Sequence, residues 1–434
     1  MSGILIAAPS SGSGKTVVTL GLMRALTRCG IVVSPGKAGP DYIDPAFHAA
    51  ASGQTCFNFD PWAMRRDLLQ DRAARSSEQG LVVIEAMMGL FDGAADGTGS
   101  AADLAALLCL PVVLVIDCSR MSQSVAAIAT GFARLRTDVH VAGLILNKVG
   151  SERHETMLCD ALDGTGLPVL GVLRSNRDLA LPERHLGLVQ AGEHVQLEAF
   201  IEAAADAVER GCDLSALMAL AQSASTPGPS SEPVGIAPLA QQIAVASDIA
   251  FAFSYPHLLE GWRRQGAELS FFSPLADEAP SADAGAVYLP GGYPELHAGR
   301  LSASETFKSG MRNAARSGAL IYGECGGYMV LGEGLVDADE RRYEMLGLLP
   351  LVTSYASRAR HLGYRRLRSL VPDVFAGAFT AHEFHYSTVV SEGAVERLFE
   401  AEDAMGASLG AVGLRLGTVC GSYMHLIDRI GEAA

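Results

Sequence analysis

Read from the N-terminus, the chain alternates short unbroken aliphatic runs with longer amphipathic stretches. Aliphatic runs near residues 3–8, 31–33, 81–85, 112–117, 139–146 and 169–172 are bounded by Gly, Asp, Asn or Pro. A strand covered on both faces shows a continuous apolar run rather than alternation, so the pattern predicts a parallel sheet wrapped by helices, a doubly wound α/β fold. The rhythm stops at residues 222–233, which are rich in Ser, Pro and Gly, the composition of a flexible linker. It resumes at 242–246 and continues at 285–289 and 319–322, with strand-like segments near 364–367 and 384–390. A second α/β domain of similar length is expected. The predicted organisation is a domain over 1–221, a linker over 222–241 and a domain over 242–434, with no short-period internal repeat.

Composition narrows the classes. A length of 434 residues suits two or three domains. The net charge of -15, without a cluster of Lys and Arg, argues against a nucleic-acid partner. The apolar runs are far shorter than the ~20 residues needed to cross a bilayer, so no membrane partner is expected. No basic segment precedes the first apolar run, and the protein is expected to be cytoplasmic. Its eight cysteines show no metal-ligand spacing.

The first aliphatic run leads into Pro9-Ser10-Ser11-Gly12-Ser13-Gly14-Lys15-Thr16, and a helix is predicted to open near Lys15. Glycines at this junction let successive backbone N–H groups cradle phosphate at a helix N-terminus. Lys15 would reach the β and γ phosphates, and the Thr16 hydroxyl would ligate Mg²⁺. Pro9 stands where the first Gly of the common P-loop belongs and has no N–H, so the cradle comes from Ser11, Gly12, Ser13 and Gly14. Magnesium takes hard oxygen ligands, and Asp41 and Glu85 are predicted at the carboxyl edge of the sheet, where open α/β folds bind ligands. Asn147 closes another strand, placed to hydrogen-bond the adenine or to cap the following helix.

The second domain carries Tyr322-Gly323-Glu324-Cys325-Gly326-Gly327 at a predicted strand-to-helix turn. Such a turn exposes a nucleophile, and a helix N-terminus is expected to lower its thiol pKa. His425, after the last strand-like segment, is the candidate base. Gly291 and Gly292, in Pro290-Gly291-Gly292-Tyr293, are candidates with Gly326 for stabilising an oxyanion.

These residues carry a family resemblance. The C-terminal half resembles a class I, triad-type glutamine amidotransferase domain, where Pro-Gly-Gly, Gly-x-Cys-x-Gly and a late His occur in this order. The resemblance implies that Cys325 attacks the side-chain amide of L-glutamine, forms a thioester and releases ammonia. The family's third member is an acid two positions after the His. Ile427 stands there, which leaves Asp428, Glu324 or no residue to orient His425. The N-terminal half is similar to dethiobiotin-synthetase-like P-loop ligases.

The whole chain, from Ile4 to about Asp428, resembles the a,c-diamide synthases of cobalamin biosynthesis, which amidate cobyrinic or hydrogenobyrinic acid. The strings that carry this are Ser-Gly-Ser-Gly-Lys-Thr, the segment from Lys37 to Pro45, the segment from Glu85 to Gly93, His361-Leu362-Gly363-Tyr364-Arg365 and His382-Glu383-Phe384-His385-Tyr386-Ser387. The resemblance implies that ATP and Mg²⁺ convert a corrinoid carboxylate to an acyl phosphate, which ammonia then displaces. Lys37, Tyr42, Asp44 and Asp92 are expected to support substrate or catalysis, and His48, His382 and His385 stand nearby in these strings. Cobyric acid synthase, another tetrapyrrole amidase, or a ParA-like ATPase with a non-catalytic thiol domain are the competing readings. The residues leave the metal content of the corrin ring, the order of amidation and a homodimeric state open.

Overall fold

The computed structural model describes residues 2–176, 179, 183–184, 187–188, 190–193, 196–222 and 233–431. The chain divides into two compact units, Met1–Pro233 and Val234–Ala434. Half of the expected linker, residues 223–232, lies outside the described residues. Among the described residues, no helix is long and apolar enough to cross a membrane.

The first unit is built on β1 (Gly3–Ala7), β2 (Val33–Ala38), β3 (Phe57–Phe59), β4 (Leu81–Glu85), β5 (Val112–Asp117), β6 (Val141–Val149) and β7 (Val169–Arg174). They form one parallel sheet in the order β3-β2-β4-β1-β5-β6-β7. The chain moves to one side of β1 for β2 to β4 and to the other for β5 to β7. The loops therefore part at the carboxyl ends of β1 and β4, where such sheets bind ligands. The strand expected at 31–33 runs instead from Val33 to Ala38, through Pro35 and Gly36. Gly36 is required there, because an added methyl would lie 2.8 Å from the Phe59 ring and 2.9 Å from Ile84. The three-residue β3 has no signature in the pattern of apolar positions.

Helix α1 (Lys15–Arg28) follows β1, α2 (Asp44–Ser52) follows β2, and α3 (Leu197–Gly211) packs along α1. The close approach runs through Gly21, where a methyl would meet the Ala204 carbonyl oxygen at 2.5 Å and Val208 at 2.8 Å.

The second unit contains β8 (Gln242–Ala246), β9 (Glu268–Phe272), β10 (Ala286–Leu289), β11 (Leu320–Glu324), β12 (His361–Ser369), β13 (Ala378–His385), β14 (Phe399–Asp403), β15 (Ser408–Val412), β16 (Leu414–Leu416), β17 (Val419–Ser422) and β18 (Met424–Arg429). A six-stranded sheet has the order β9-β8-β10-β11-β17-β16, and an antiparallel five-stranded sheet the order β15-β14-β12-β13-β18. Helix α4 (Gly326–Leu331) leaves β11. The single segment expected at 384–390 is in fact divided. Strand β13 ends at His385, and the following strand, Thr388–Glu392, pairs into a different, four-stranded sheet. His382 therefore lies inside β13, and His385 is its last residue.

Strands β12 and β13 are tied by Arg365, whose Nε and Nη2 lie 2.8 and 2.7 Å from Glu383 Oε2. His385 Nε2 lies 3.0 Å from Glu383 Oε1. Burial alone would raise the Glu383 carboxyl, but His385 and Arg365 outweigh it and hold it down at about 2.

Two predictions follow from this packing. Gly21→Ala should destabilise the first unit by about 1–3 kcal/mol in denaturant titration, because overpacking against Ala204 exceeds the ~1 kcal/mol that alanine gains in a helix. The depressed Glu383 carboxyl contributes stability that is complete above its unfolded value near 4.3 and is lost as pH falls toward 2. The stability gap between wild type and Glu383→Gln should accordingly narrow on acidification from pH 5 toward 3, read from unfolding curves at each pH.

Candidate functional site

Between β1 and α1 the chain needs two left-handed residues, and Gly12 (φ 80°) and Gly14 (φ 79°) supply them. At Gly14 a methyl would fall 2.4 Å from Asn147 Nδ2, so the loop can lie against the end of β6 only without a side chain there. The Asn147 amide donates to the Ser13 carbonyl at 2.9 Å, and Lys148 Nζ donates to the Gly12 carbonyl at 2.8 Å while pairing with Asp117 at 2.6 Å. Asn147, expected at the adenine or a helix cap, thus braces the loop from β6. Lys148 does the same, and its place beside Asn147 at a strand end was its only sequence signal. Ser13 Oγ donates to the Ser10 carbonyl at 2.9 Å.

Lys15 opens α1 and donates to the Met88 carbonyl at 3.3 Å, with Glu85 Oε1 at 3.8 Å. The Thr16 hydroxyl donates to Glu85 Oε1 at 2.7 Å. Glu85 is fully buried and also meets Lys37 Nζ at 3.0 Å and His48 Nε2 at 2.6 Å. Lys37, at the end of β2, bonds Asp44 Oδ2 at 2.5 Å and lies 3.8 Å from Asp41 Oδ2. Asp41 Oδ1 accepts the amides of Ile43 and Asp44, and the whole turn is gripped by Asn58, which donates to the carbonyls of Gly39 and Asp41. Asn58 escaped the sequence reading because it sits in β3, a strand too short to leave a pattern.

The electrostatics follow from burial against pairing. Burial lowers the Lys15 ammonium, with Glu85 opposing. Burial also lowers Lys37, but Asp44, Glu85 and Asp41 outweigh it and keep the ammonium charged. Burial pushes Glu85 up, and Lys37 and His48 reverse this and hold it well below the usual range. Asp44 is raised to about 6, by burial first and Asp41 second. Above these groups opens a cavity of about 600 Å³, lined among others by Ser11, Gly12, Lys15, Thr16, Asp41 and Asp44. Lys37, Glu85 and Asn147 also reach its wall, whereas Tyr42 and Asp92 do not. The Asp92 carboxylate instead turns back to accept the Gly89 amide at 2.9 Å.

In the second unit Cys325 occupies the turn from β11 to α4 with φ 47° and ψ -106°, a conformation rare for a residue with a side chain. Its amide donates to the Ser422 carbonyl at 2.8 Å, which fixes the turn to β17. A methyl on Gly291 would lie 2.3 Å from His425 Cε1 and 3.2 Å from Cys325 Cβ, and one on Gly326 would lie 2.9 Å from the Gly292 nitrogen. Glycines at 291 and 326 thus let the loop after β10, Cys325 and the imidazole crowd into one place, while Gly292 makes room for the Ala250 carbonyl. Residues 100 apart in the chain meet because β11 and β18 reach this corner from two sheets.

The expected lowering of the thiol is not what the site produces. Burial raises Cys325, with Glu295 and Glu324 adding to it, and the six-residue α4 does not compensate. Burial lowers His425 to about 3, with His382 and His385 adding. The resting pair is a neutral thiol and a neutral imidazole. Glu295 escaped the sequence reading, although it lies three residues beyond the expected glycine pair. Ile427, in the position of the usual acid, is buried in β18, and its carbonyl accepts His257 Nε2 at 2.8 Å.

Residues 4–189 match the family described as the CobQ/CobB/MinD/ParA nucleotide binding domain, and residues 242–429 match the CobB/CobQ-like glutamine amidotransferase domain. Over 434 residues, 100% of both chains, the sequence is 64% identical to a hydrogenobyrinate a,c-diamide synthase from Sinorhizobium sp. It is 66% identical over 430 residues to the Rhizobium meliloti protein of that name, covering 99% of each chain. The Rhodobacter capsulatus protein of the same name is 52% identical over 432 residues, 98% of each. Likeness at this level, spanning both units and both sites, is a whole-chain relationship, and the chain belongs to the hydrogenobyrinate a,c-diamide synthase family.

Proposed function

We propose that this protein uses ATP and glutamine to amidate the a and c acetate carboxylates of hydrogenobyrinic acid. The observation that carries the reading is the union, in one chain, of a phosphate-cradling cavity and a buried thiol–imidazole pair, with full-length relatives that bear this activity in their names. Those names refer to the cobalt-free acid and favour it over cobyrinic acid.

ATP phosphates would lie on the amides from Ser11 to Thr16, with Lys15 Nζ turning from the Met88 carbonyl to the β and γ oxygens. The Thr16 hydroxyl and the Asp41 and Glu85 carboxylates are hard oxygen donors that suit Mg²⁺. Bound there, Mg²⁺ would supply charge neutralisation for the phosphates. Lys37, held charged by Asp44 and Glu85, sits where a substrate carboxylate and the transferring phosphoryl group would meet. The carboxylate oxygen attacks the γ phosphorus, the bond to ADP breaks, and an acyl phosphate forms. Asp44, in the cavity wall, is assigned to the substrate side of this site, whereas Asp92 is assigned to holding its loop through the Gly89 amide and Tyr42 to supporting the turn before α2.

At Cys325 the thiol proton passes to His425 as sulfur attacks the amide carbon of glutamine. The Gly292 and Gly326 amides, with Gly291 keeping the approach open, are assigned to the oxyanion. His425 returns the proton to the departing ammonia, and water cleaves the thioester to glutamate. A neutral resting pair suits this sequence, since charge appears only as the bond forms. Ammonia then attacks the acyl phosphate, phosphate leaves and the amide is made.

Mass spectrometry of hydrogenobyrinic acid after incubation with ATP, Mg²⁺ and glutamine should show two added amides; no change with this acid or with cobyrinic acid refutes the proposal. Cys325→Ala should lower the glutamine-dependent rate by at least about 10³-fold and leave ammonium-driven amidation near wild type. Lys15→Ala should lower both by about 10²–10³-fold, because charge stabilisation of the phosphoryl transfer is common to the two nitrogen sources.

A further inference from the structure

The base of a thiol–imidazole pair needs a group on its far nitrogen to fix ring and tautomer, and Ile427 cannot be that group. Glu324, the residue immediately before the nucleophile, places Oε2 3.8 Å from His425 Nδ1, and both side chains are almost wholly buried. Three donors define the position of this carboxylate. Tyr288 Oη donates to Oε2 at 2.7 Å, and Tyr322 Oη and the Leu426 amide each donate to Oε1 at 3.0 Å. Leu426 is the chain neighbour of His425, so Glu324 holds the very segment of β18 that carries the imidazole.

The Cε1–Nε2 edge of the ring and Cys325 meet at Gly291. A methyl on Gly291 would lie 2.3 Å from His425 Cε1 and 3.1 Å from Nε2, and also 3.2 Å from Cys325 Cβ. A carboxylate at Nδ1, with Nε2 and the nucleophile's residue meeting at Gly291, is the order that general-base catalysis by histidine uses. Asp428 is placed differently. It follows an irregularity in the pairing of β18 with β13, where Ile427 is passed over, and its Oδ1 accepts the Arg429 amide at 2.8 Å.

We propose that Glu324 is the positioning residue for His425, fixing the tautomer with hydrogen on Nδ1 and standing in, from the nucleophile's own strand, for the acid missing at Ile427. Resting on the reading of Cys325 and His425 as the glutaminase pair, it adds the group that aims the base. Burial raises Glu324 to about 7 against its three hydrogen-bond donors. Burial also raises Tyr288 and Tyr322, which keeps their hydroxyls protonated as donors. As His425 accepts the thiol proton, Glu383, which already favours the charged ring against burial, and Glu324 at Nδ1 offset the new positive charge.

The test measures glutamine hydrolysis by the full chain. Glu324→Gln should lower kcat by about 10²–10⁴-fold, as for a triad acid replaced by its amide, with KM for glutamine changed by less than about threefold. Ammonium-driven amidation should be unchanged. Nitrogen-15 NMR of labelled histidine, with His425 assigned from a His425→Gln sample, should show hydrogen on Nδ1 in wild type and its loss from Nδ1 in Glu324→Gln. A kcat within about threefold of wild type in Glu324→Gln, while His425→Gln is inactive, overturns the proposal but leaves the pair intact. Activity surviving in His425→Gln would instead remove the pair itself. Should Glu324→Gln fail to fold, the wild-type spectrum decides alone, since hydrogen on Nε2 contradicts the assigned role.

Discussion

Lys37 carries its ammonium to a place water barely reaches, and that is tolerable only because three carboxylates stand around it. The rest of the first unit is arranged to make this possible. Glu85 must end β4 next to the end of β2, so the two strands pair in the register that sets Lys37 opposite Glu85. Asp41 and Asp44 must lie in the turn that leads into α2, and Asn58 must hold that turn from β3. Thr16 must be delivered to the same carboxylate by the first turn of α1. A buried charge with this many partners leaves one arrangement of the sheet edge, and it is the arrangement that sets cationic nitrogens and hard oxygens beneath a phosphate-binding loop.

The second unit meets the same constraint with the opposite outcome. Its reacting groups are also buried, but at Cys325 and His425 burial prevails and keeps both neutral. Close approach of Cys325 and His425 is secured by omission of side chains at Gly291 and Gly326. One unit gathers paired charges at its cavity wall; the other holds its thiol and imidazole neutral by burial.

The legible parts of the fold were those in which a local rule had no competitor. Strands 81–85, 112–117 and 242–246 end where their aliphatic runs end, because each is buried on both faces and periodicity reports burial directly. Strand β2 was misplaced because Pro35 and Gly36 signal a break locally, while Phe59 and Ile84, far away in sequence, demand a glycine. The segment 384–390 was joined into one strand because its composition is uniform; which sheet each half enters is decided by partners elsewhere. Among site residues, Lys15, Thr16 and Cys325 were visible from local spacing. Asn58 and Lys148 act through backbone carbonyls of distant loops, and nothing in their own neighbourhoods points to those carbonyls.

By itself the sequence determined two α/β units, a phosphate cradle where β1 meets α1, and a nucleophile on a strand-to-helix turn, since each is a property of a few consecutive residues. Tertiary structure alone decided that burial would raise the Cys325 thiol rather than a short helix lower it. It also decided that Asn147 would brace the P-loop, and that the carboxylate beside His425 would be Glu324, 101 residues earlier in the chain, rather than a neighbour on its own strand. A pKa depends on everything within reach of a charge, and a hydrogen bond depends on which strands the fold brings side by side. Neither quantity belongs to any short stretch of chain.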